Sequence, residues 1–125
     1  MQFYSLNKQS PDVNFKDATI NGQAPDKGLY FPKTIPQVSK ELINNIENIS
    51  NKEIAFEVIK PYVGDTIAEN ELYTIVKETV NFSIPLVKVT DDIAALELYH
   101  GPTLAFKDIG ARFMSRCLGH FVKGS

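Results

Sequence analysis

Among the 125 residues, one stretch gathers residue types that could do chemistry together. Residues 96–108 read Leu-Glu-Leu-Tyr-His-Gly-Pro-Thr-Leu-Ala-Phe-Lys-Asp. Leu96 to Tyr99 has the character of the end of a buried strand. Gly101 and Pro102 form a tight, rigid corner, because Gly permits unusual backbone angles and Pro fixes one. From Phe106 onward apolar residues fall at Phe106, Ile109, Phe113, Cys117 and Phe121, with Met114 and Leu118 in adjacent rows. That is helical spacing, and it sets Lys107 in the first helical turn. Unpaired N–H groups and the positive end of the helix dipole oppose a cation there. The position therefore favours a neutral amine, the form that attacks an aldehyde. Lys107 lies above Gly110, Ala111 and Met114, whose two small members leave room for a flat ring. Asp108, Arg112 and Arg116 recur every four residues and read as solvated charges paired along the helix. Spacing alone also fits an ordinary surface lysine.

The elements that must position this stretch follow from local pattern. Gln2 to Leu6 alternates as a short strand, Ser10-Pro11-Asp12 is turn chemistry, and Phe15 to Ile20 makes a short helix that Asn14 could cap. Ala24-Pro25-Asp26-Lys27-Gly28-Leu29-Tyr30-Phe31-Pro32 reads as a turn and a brief apolar strand closed by proline. A helix starts after Ser39 with Leu42, Ile43 and Ile46 on one face. A second runs through Ile54, Ala55, Val58 and Ile59 and ends near Tyr62-Val63-Gly64, because Pro61 opposes its continuation. A third begins at Ala68 or Glu69 and carries Leu72, Ile75, Val76 and Val80. These three are expected to stack as a small bundle. Leu86–Thr90 and Ile93–Tyr99 then form a hairpin around Asp91-Asp92, aimed at Lys107. A boundary near Phe82 divides a mostly helical module, residues 1–81, from the start of a second domain, residues 82–125.

Composition excludes several classes. The chain is 43% hydrophobic and 22% charged, as expected of a globular domain. A net charge of −2, without basic blocks, gives no nucleic-acid surface. No apolar run approaches a membrane span and Met1 to Ser5 lacks a signal-peptide pattern, so the cytoplasm is the expected compartment. The lone Cys117 sits on the apolar stripe and reads as a packing residue in a reducing compartment. His100 and His120 are too few for a metal site; His100 reads as a corner residue making a backbone contact, His120 as surface. No Gly-x-Gly-x-x-Gly, P-loop or Gly-x-Ser-x-Gly is present, so Lys107 alone stands as a reactive group. The last helix is still amphipathic at Phe121 and Val122 before a linker-like Gly124-Ser125, which suggests a piece of a larger protein.

His100-Gly101-Pro102-Thr103-Leu104-Ala105-Phe106-Lys107-Asp108, followed by Gly110-Ala111-Arg112-Phe113-Met114, resembles the cofactor-lysine segment of threonine synthases. Ala24 to Pro32 is similar to an Ala-Pro-Asp-x-Gly-Leu-Tyr-x-Pro segment in the N-terminal domain of the same family. Two matches in the right order reinforce one another. The resemblance implies an α/β protein: an N-terminal helical module with short strands, then a β-hairpin and the first helix of a fold-type II (tryptophan-synthase-β-like) domain. It implies a carbon–oxygen lyase of threonine biosynthesis that converts O-phosphohomoserine and water to threonine and phosphate. Lys107 would form the Schiff base with pyridoxal phosphate, and Thr103 and Phe106 would shape the cofactor pocket. A freed lysine is suited to moving protons at the substrate's α and β carbons. The family's Ser-Gly-Asp-Thr-Gly phosphate cradle is absent, so the chain is expected to be an N-terminal portion, inactive alone and weak in binding the cofactor. Two alternatives differ in chemistry. One is a related enzyme acting on serine, cysteine or threonine, against which the Ala24–Pro32 segment argues. The other is a degenerate, non-catalytic binding module.

Overall fold

A computed structural model describes residues 1–123, so the linker-like Gly124-Ser125 lies outside the described residues. Strand β1 (Phe3–Ser5) is followed by helix α1 (Phe15–Asn21), β2 (Tyr30–Pro32), α2 (Lys40–Asn45), α3 (Asn51–Val63), α4 (Glu69–Thr79), β3 (Leu86–Lys88), β4 (Ala94–Leu96) and α5 (Lys107–Phe121). Short 3-10 turns at Ile46–Asn48 and Gly64–Thr66 follow α2 and α3. Local chemistry sets most of these limits. Asn14, Ser39 and Ser50 accept the N–H groups of Asp17, Leu42 and Glu53, and Ser50 with Glu53 completes a reciprocal capping box. Helix α3 ends at Val63, two residues past Pro61, and is capped by Gly64, whose φ of 58° favours glycine.

The core lies between helices. Val63, Ile67, Leu72, Ile75, Val76 and Cys117 are buried, and Phe15, Phe56, Ile59, Phe113 and Phe121 pack against them. Phe15 meets Phe113 and Phe121 at ring distances of 6.4 and 6.2 Å. The bundle is thus made of α1, α3, α4 and α5, which corrects the expected stack of α2, α3 and α4. Helix α2 has only six residues, leaves Ile43 55% and Ile46 46% exposed, and packs chiefly on the turn after it. The fifteen-residue α5 offers a longer apolar stripe and takes that place.

At the N-terminus β1 and β2 pair antiparallel, Phe3 opposite Pro32 and Ser5 opposite Tyr30. Asp26 fastens the loops around them. Its Oδ1 accepts the Ser5 hydroxyl at 2.6 Å and the Gly28 N–H at 2.9 Å, and its Oδ2 accepts the Gln9 N–H at 2.9 Å. A Cβ on Gly28 would collide with Ser5 Oγ. The Asp and Gly of the Ala24–Pro32 segment are therefore structural.

The hairpin pairs Leu86 with Leu96 and Lys88 with Ala94, and Lys88 reaches Asp91 at 2.7 Å across its bend. Its strands are shorter than the expected Leu86–Thr90 and Ile93–Tyr99. The ladder ends where Glu97 donates to the carbonyl of Pro85, a residue with no N–H to return. Nor is the second strand's end buried: Leu96 is 59% and Tyr99 49% exposed, because no described element covers the hairpin. Among the described residues no helix is long and apolar enough to cross a membrane.

The Ser5 hydroxyl, then the N–H groups of Gly28 and Gln9, pull the Asp26 carboxyl down to about 2 against the opposing effect of burial. A lowered folded-state value stabilises the fold fully above the ordinary carboxylate range, and that contribution is lost as pH falls through about 2. Urea unfolding should find Asp26→Asn less stable than the parent near neutral pH. The gap should close as the pH is lowered from about 4 toward 2.

Candidate functional site

Helix α5 opens without a side-chain cap: Phe106, at the capping position, makes none. The start is fixed by Asp108 instead. Its side chain is 0% exposed, and Oδ2 accepts the Thr103 N–H at 2.9 Å, drawing the preceding turn onto the first turn of the helix. Gly101 closes that turn by accepting the Leu104 N–H at 3.1 Å. A Cβ on Gly101 would lie 2.6 Å from Asp108 Oδ2 and 2.7 Å from its Cγ. Glycine is thus required at the corner by close approach rather than by an unusual backbone angle. The unusual angle falls on Leu104, whose φ of 55° is left-handed.

The expected row of solvated charges is not what forms. Asp108 is buried, and its Oδ1 has no hydrogen-bond partner among the described residues. Burial raises its carboxyl's affinity for a proton, but the Thr103 N–H and hydroxyl, the backbone at Ala105 and the Arg112 charge together hold it below the ordinary carboxylate range. Arg112 turns away to α4 and donates to the carbonyls of Glu78 (2.8 Å) and Thr79 (3.1 Å) and to Asn81 Oδ1 (3.1 Å), with Phe82 5.8 Å beneath it. Those carbonyls are orphans of a helix C-terminus, and a guanidinium there satisfies both hydrogen bonding and dipole. Arg116 pairs with Glu78 at 3.0 Å.

Lys107 is the first residue of α5 and is exposed, as are Thr103, Gly110 and Ala111. Leu104 and Phe106 are each 76% exposed, so the apolar stripe starts at Ile109 and not at Phe106 as the spacing suggested. Met114 is 52% exposed, and nothing lies within 4 Å of a Cβ built on Gly110. Thr103, Phe106 and Lys107 therefore share one open end of the helix. One turn on, Ile109, Gly110 and Phe113 border an apolar groove of about 320 Å³ against α3 and α4, but Lys107 does not line it.

Around the corner, His100 contacts a side chain rather than backbone. Its Nε2 lies 2.6 Å from Glu97 Oε2, and its ring stacks on Tyr99 at 4.6 Å. Hydrogen bonds from His100 and then Tyr99 hold the Glu97 carboxyl below its usual range, while Glu97 pushes the Tyr99 hydroxyl up. His120 is half-buried, 3.8 Å from Glu71. Cys117 is 0% exposed and burial pushes its thiol up to about 11, so it packs and does not react at neutral pH. Spacing missed Asp108 and Leu104. The turn that buries one and twists the other depends on a five-residue return contact that periodicity does not register.

Residues 2–80 match the family model described as the threonine synthase N terminus. The chain is 38% identical over 119 residues to a threonine synthase of Buchnera aphidicola subsp. Baizongia pistaciae, covering 94% of this chain and 28% of that protein. It is 34% identical over 122 residues to the Escherichia coli threonine synthase, covering 98% and 28%. A crystal structure of PLP-bound threonine synthase from Brucella melitensis superimposes with a TM-score of 0.92 at 34% identity, over 98% of this chain and 28% of that one. The yeast threonine synthase structure gives 0.87 at 34% identity, over 98% and 26%. The chain thus spans about 28% of the length of these curated relatives.

Two glycine substitutions separate the corner from the helix face. Gly101→Ala should destabilise the chain by about 1–3 kcal/mol, because the methyl group presses on a buried carboxylate that cannot move aside. Gly110→Ala should stabilise it by roughly 0.5–1 kcal/mol, since the methyl enters open space in a helix interior. Urea denaturation of both variants checks the pair.

Proposed function

This chain belongs to the threonine synthase family, whose N-terminal portion it matches, and we propose that it forms that portion of a lyase converting O-phosphohomoserine and water to threonine and phosphate. Lys107 is the catalytic residue in this reading and the link to pyridoxal phosphate, with Thr103 and Phe106 in the cofactor pocket. The observation that carries it is a primary amine at the exposed first turn of a long helix whose start is tied down by a buried carboxylate. In the same reading residues 1–81 are the N-terminal module and residues 82–125 begin the fold-type II cofactor domain. The family match ending at residue 80 supports that division. The cytoplasm, where a buried free thiol such as Cys117 stays reduced, is the compartment that suits it.

The residues present fit one side of the cofactor. An exposed amine suits its aldehyde, and the open ground at Gly110 and Ala111 beside Phe106 suits its ring. Its phosphate calls for a glycine-rich cradle, which this reading assigns to the remainder of the enzyme. Once bound, pyridoxal phosphate supplies an electron sink for charge developing on the amino acid. Lys107 would hold the cofactor through Nζ and, as a free amine, would carry protons at the substrate's α and β carbons. Phe106 covers apolar ring surface and keeps water from that side. Thr103 acts through the turn it holds.

Phosphate release from O-phosphohomoserine by the full-length enzyme tests the assignment. Lys107→Ala should reduce it by at least about 10²–10⁴-fold, the usual contribution of a positioned proton carrier. Wild-type protein that releases no phosphate, or an alanine variant with normal turnover, would refute the reading. The 125-residue chain alone, mixed with pyridoxal phosphate, should give no strong visible absorbance band beyond that of the free cofactor.

A further inference from the structure

We propose that Asp108 is the positioning residue for Lys107, acting through the turn from Gly101 to Leu104. The inference rests on Lys107 being the cofactor lysine. A lysine on a four-carbon stem, exposed at a helix end, owes its placement to the backbone beneath it. Helix α5 is held at its far half by Cys117 in the core and at its middle by Arg112 on α4. Its start has no cap, and the contact that ties it to the preceding chain is the Asp108 carboxylate on the Thr103 N–H.

Three features of that contact point to a positional role rather than to stability. Oδ1 of Asp108 is buried without a hydrogen-bond partner among the described residues, a costly condition that an apolar side chain would avoid. Leu104 holds a left-handed φ of 55° although its side chain is 76% exposed and recovers little by packing here. Gly101 lies so close to the carboxylate that no other residue fits. A strained turn and an unsatisfied carboxylate are thus kept together next to the amine, and each holds the other in place. What they fix is the direction in which the first residue of α5 leaves the helix. Misplacement of a reacting group by about 1 Å commonly costs a hundredfold in rate.

Apo-enzyme of full length, given pyridoxal phosphate alone and then borohydride, reports the rate at which Lys107 captures the cofactor, read by mass spectrometry of the labelled peptide. Melting of the same apo-proteins reports folding. Per folded molecule, Asp108→Ala should capture about 10- to 100-fold more slowly. Asp108→Asn keeps an acceptor for the Thr103 N–H and should recover most of that loss. Should the alanine variant fail to fold, Leu104→Pro carries the same expectation of slowing, because proline can neither hold the left-handed φ nor give an N–H to Gly101, and no buried side chain is touched. Three results overturn the proposal: capture at the parental rate in the alanine or Leu104→Pro protein, an asparagine variant as slow as alanine, or slowing that merely tracks lost folded protein. Labelling of a residue other than Lys107 in the parent would instead defeat the underlying reading, whatever Asp108 does.

Discussion

Helix α5 serves the core and the candidate site at once, and the packing of its Cys117 face is the interaction on which the rest depends. Cys117 is wholly buried among Val63, Leu72 and Val76, with Phe113 and Phe121 closing over Phe15 on either side. Burying the aliphatic and aromatic side chains around it contributes roughly 1.5–3 kcal/mol each, and several of them act together. The same helix begins at Lys107. The amine's position is therefore inherited from a hydrophobic core assembled largely by residues that precede it in the chain.

Polar contacts refine what packing fixes in outline, and they differ in weight. The Arg116–Glu78 pair is largely in water, where such pairs contribute about 0–1 kcal/mol. Arg112 does more with the same charge, because its donors go to the last carbonyls of α4, which otherwise lack partners. It keeps α5 from sliding along α4. Asp108 then settles the final turn, where the apolar stripe has run out and Leu104, Phe106 and Lys107 stand in solvent. Order at the Lys107 end is electrostatic and local, while order at the other end is apolar.

The N-terminal strands show the same division. Phe3 is buried and touches Phe15 at 6.1 Å, which attaches β1 to the bundle. Asp26 and Gly28 hold the surrounding loops by hydrogen bonds and close backbone approach. Family-like residues in Ala24 to Pro32 thus serve architecture, and those from His100 to Asp108 serve both architecture and the candidate chemistry. The hairpin between them, with Leu86 71% and Leu96 59% exposed, presents apolar surface that no described element covers.

Sequence by itself determined whatever is decided within one turn or one strand pair. Caps at Asn14 and Ser39, the ends of α3 and α4, the hairpin bend and Lys107 in the first turn of α5 all depend on neighbours within about four residues, where propensity and capping act. Likeness of residue order also carried the family. Only the tertiary structure decided which helices share a core, because α2 and α5 both display apolar stripes and spacing does not say which of them meets α3 and α4. It also decided the fate of the charges. The spacing of Asp108, Arg112 and Arg116 is that of a solvated face, yet one is buried under a glycine corner and the other two reach across to α4. Periodicity records which side of a helix a residue occupies. What stands opposite that side is set by chain arriving from more than thirty positions away, as the contact from Arg112 to Glu78 requires.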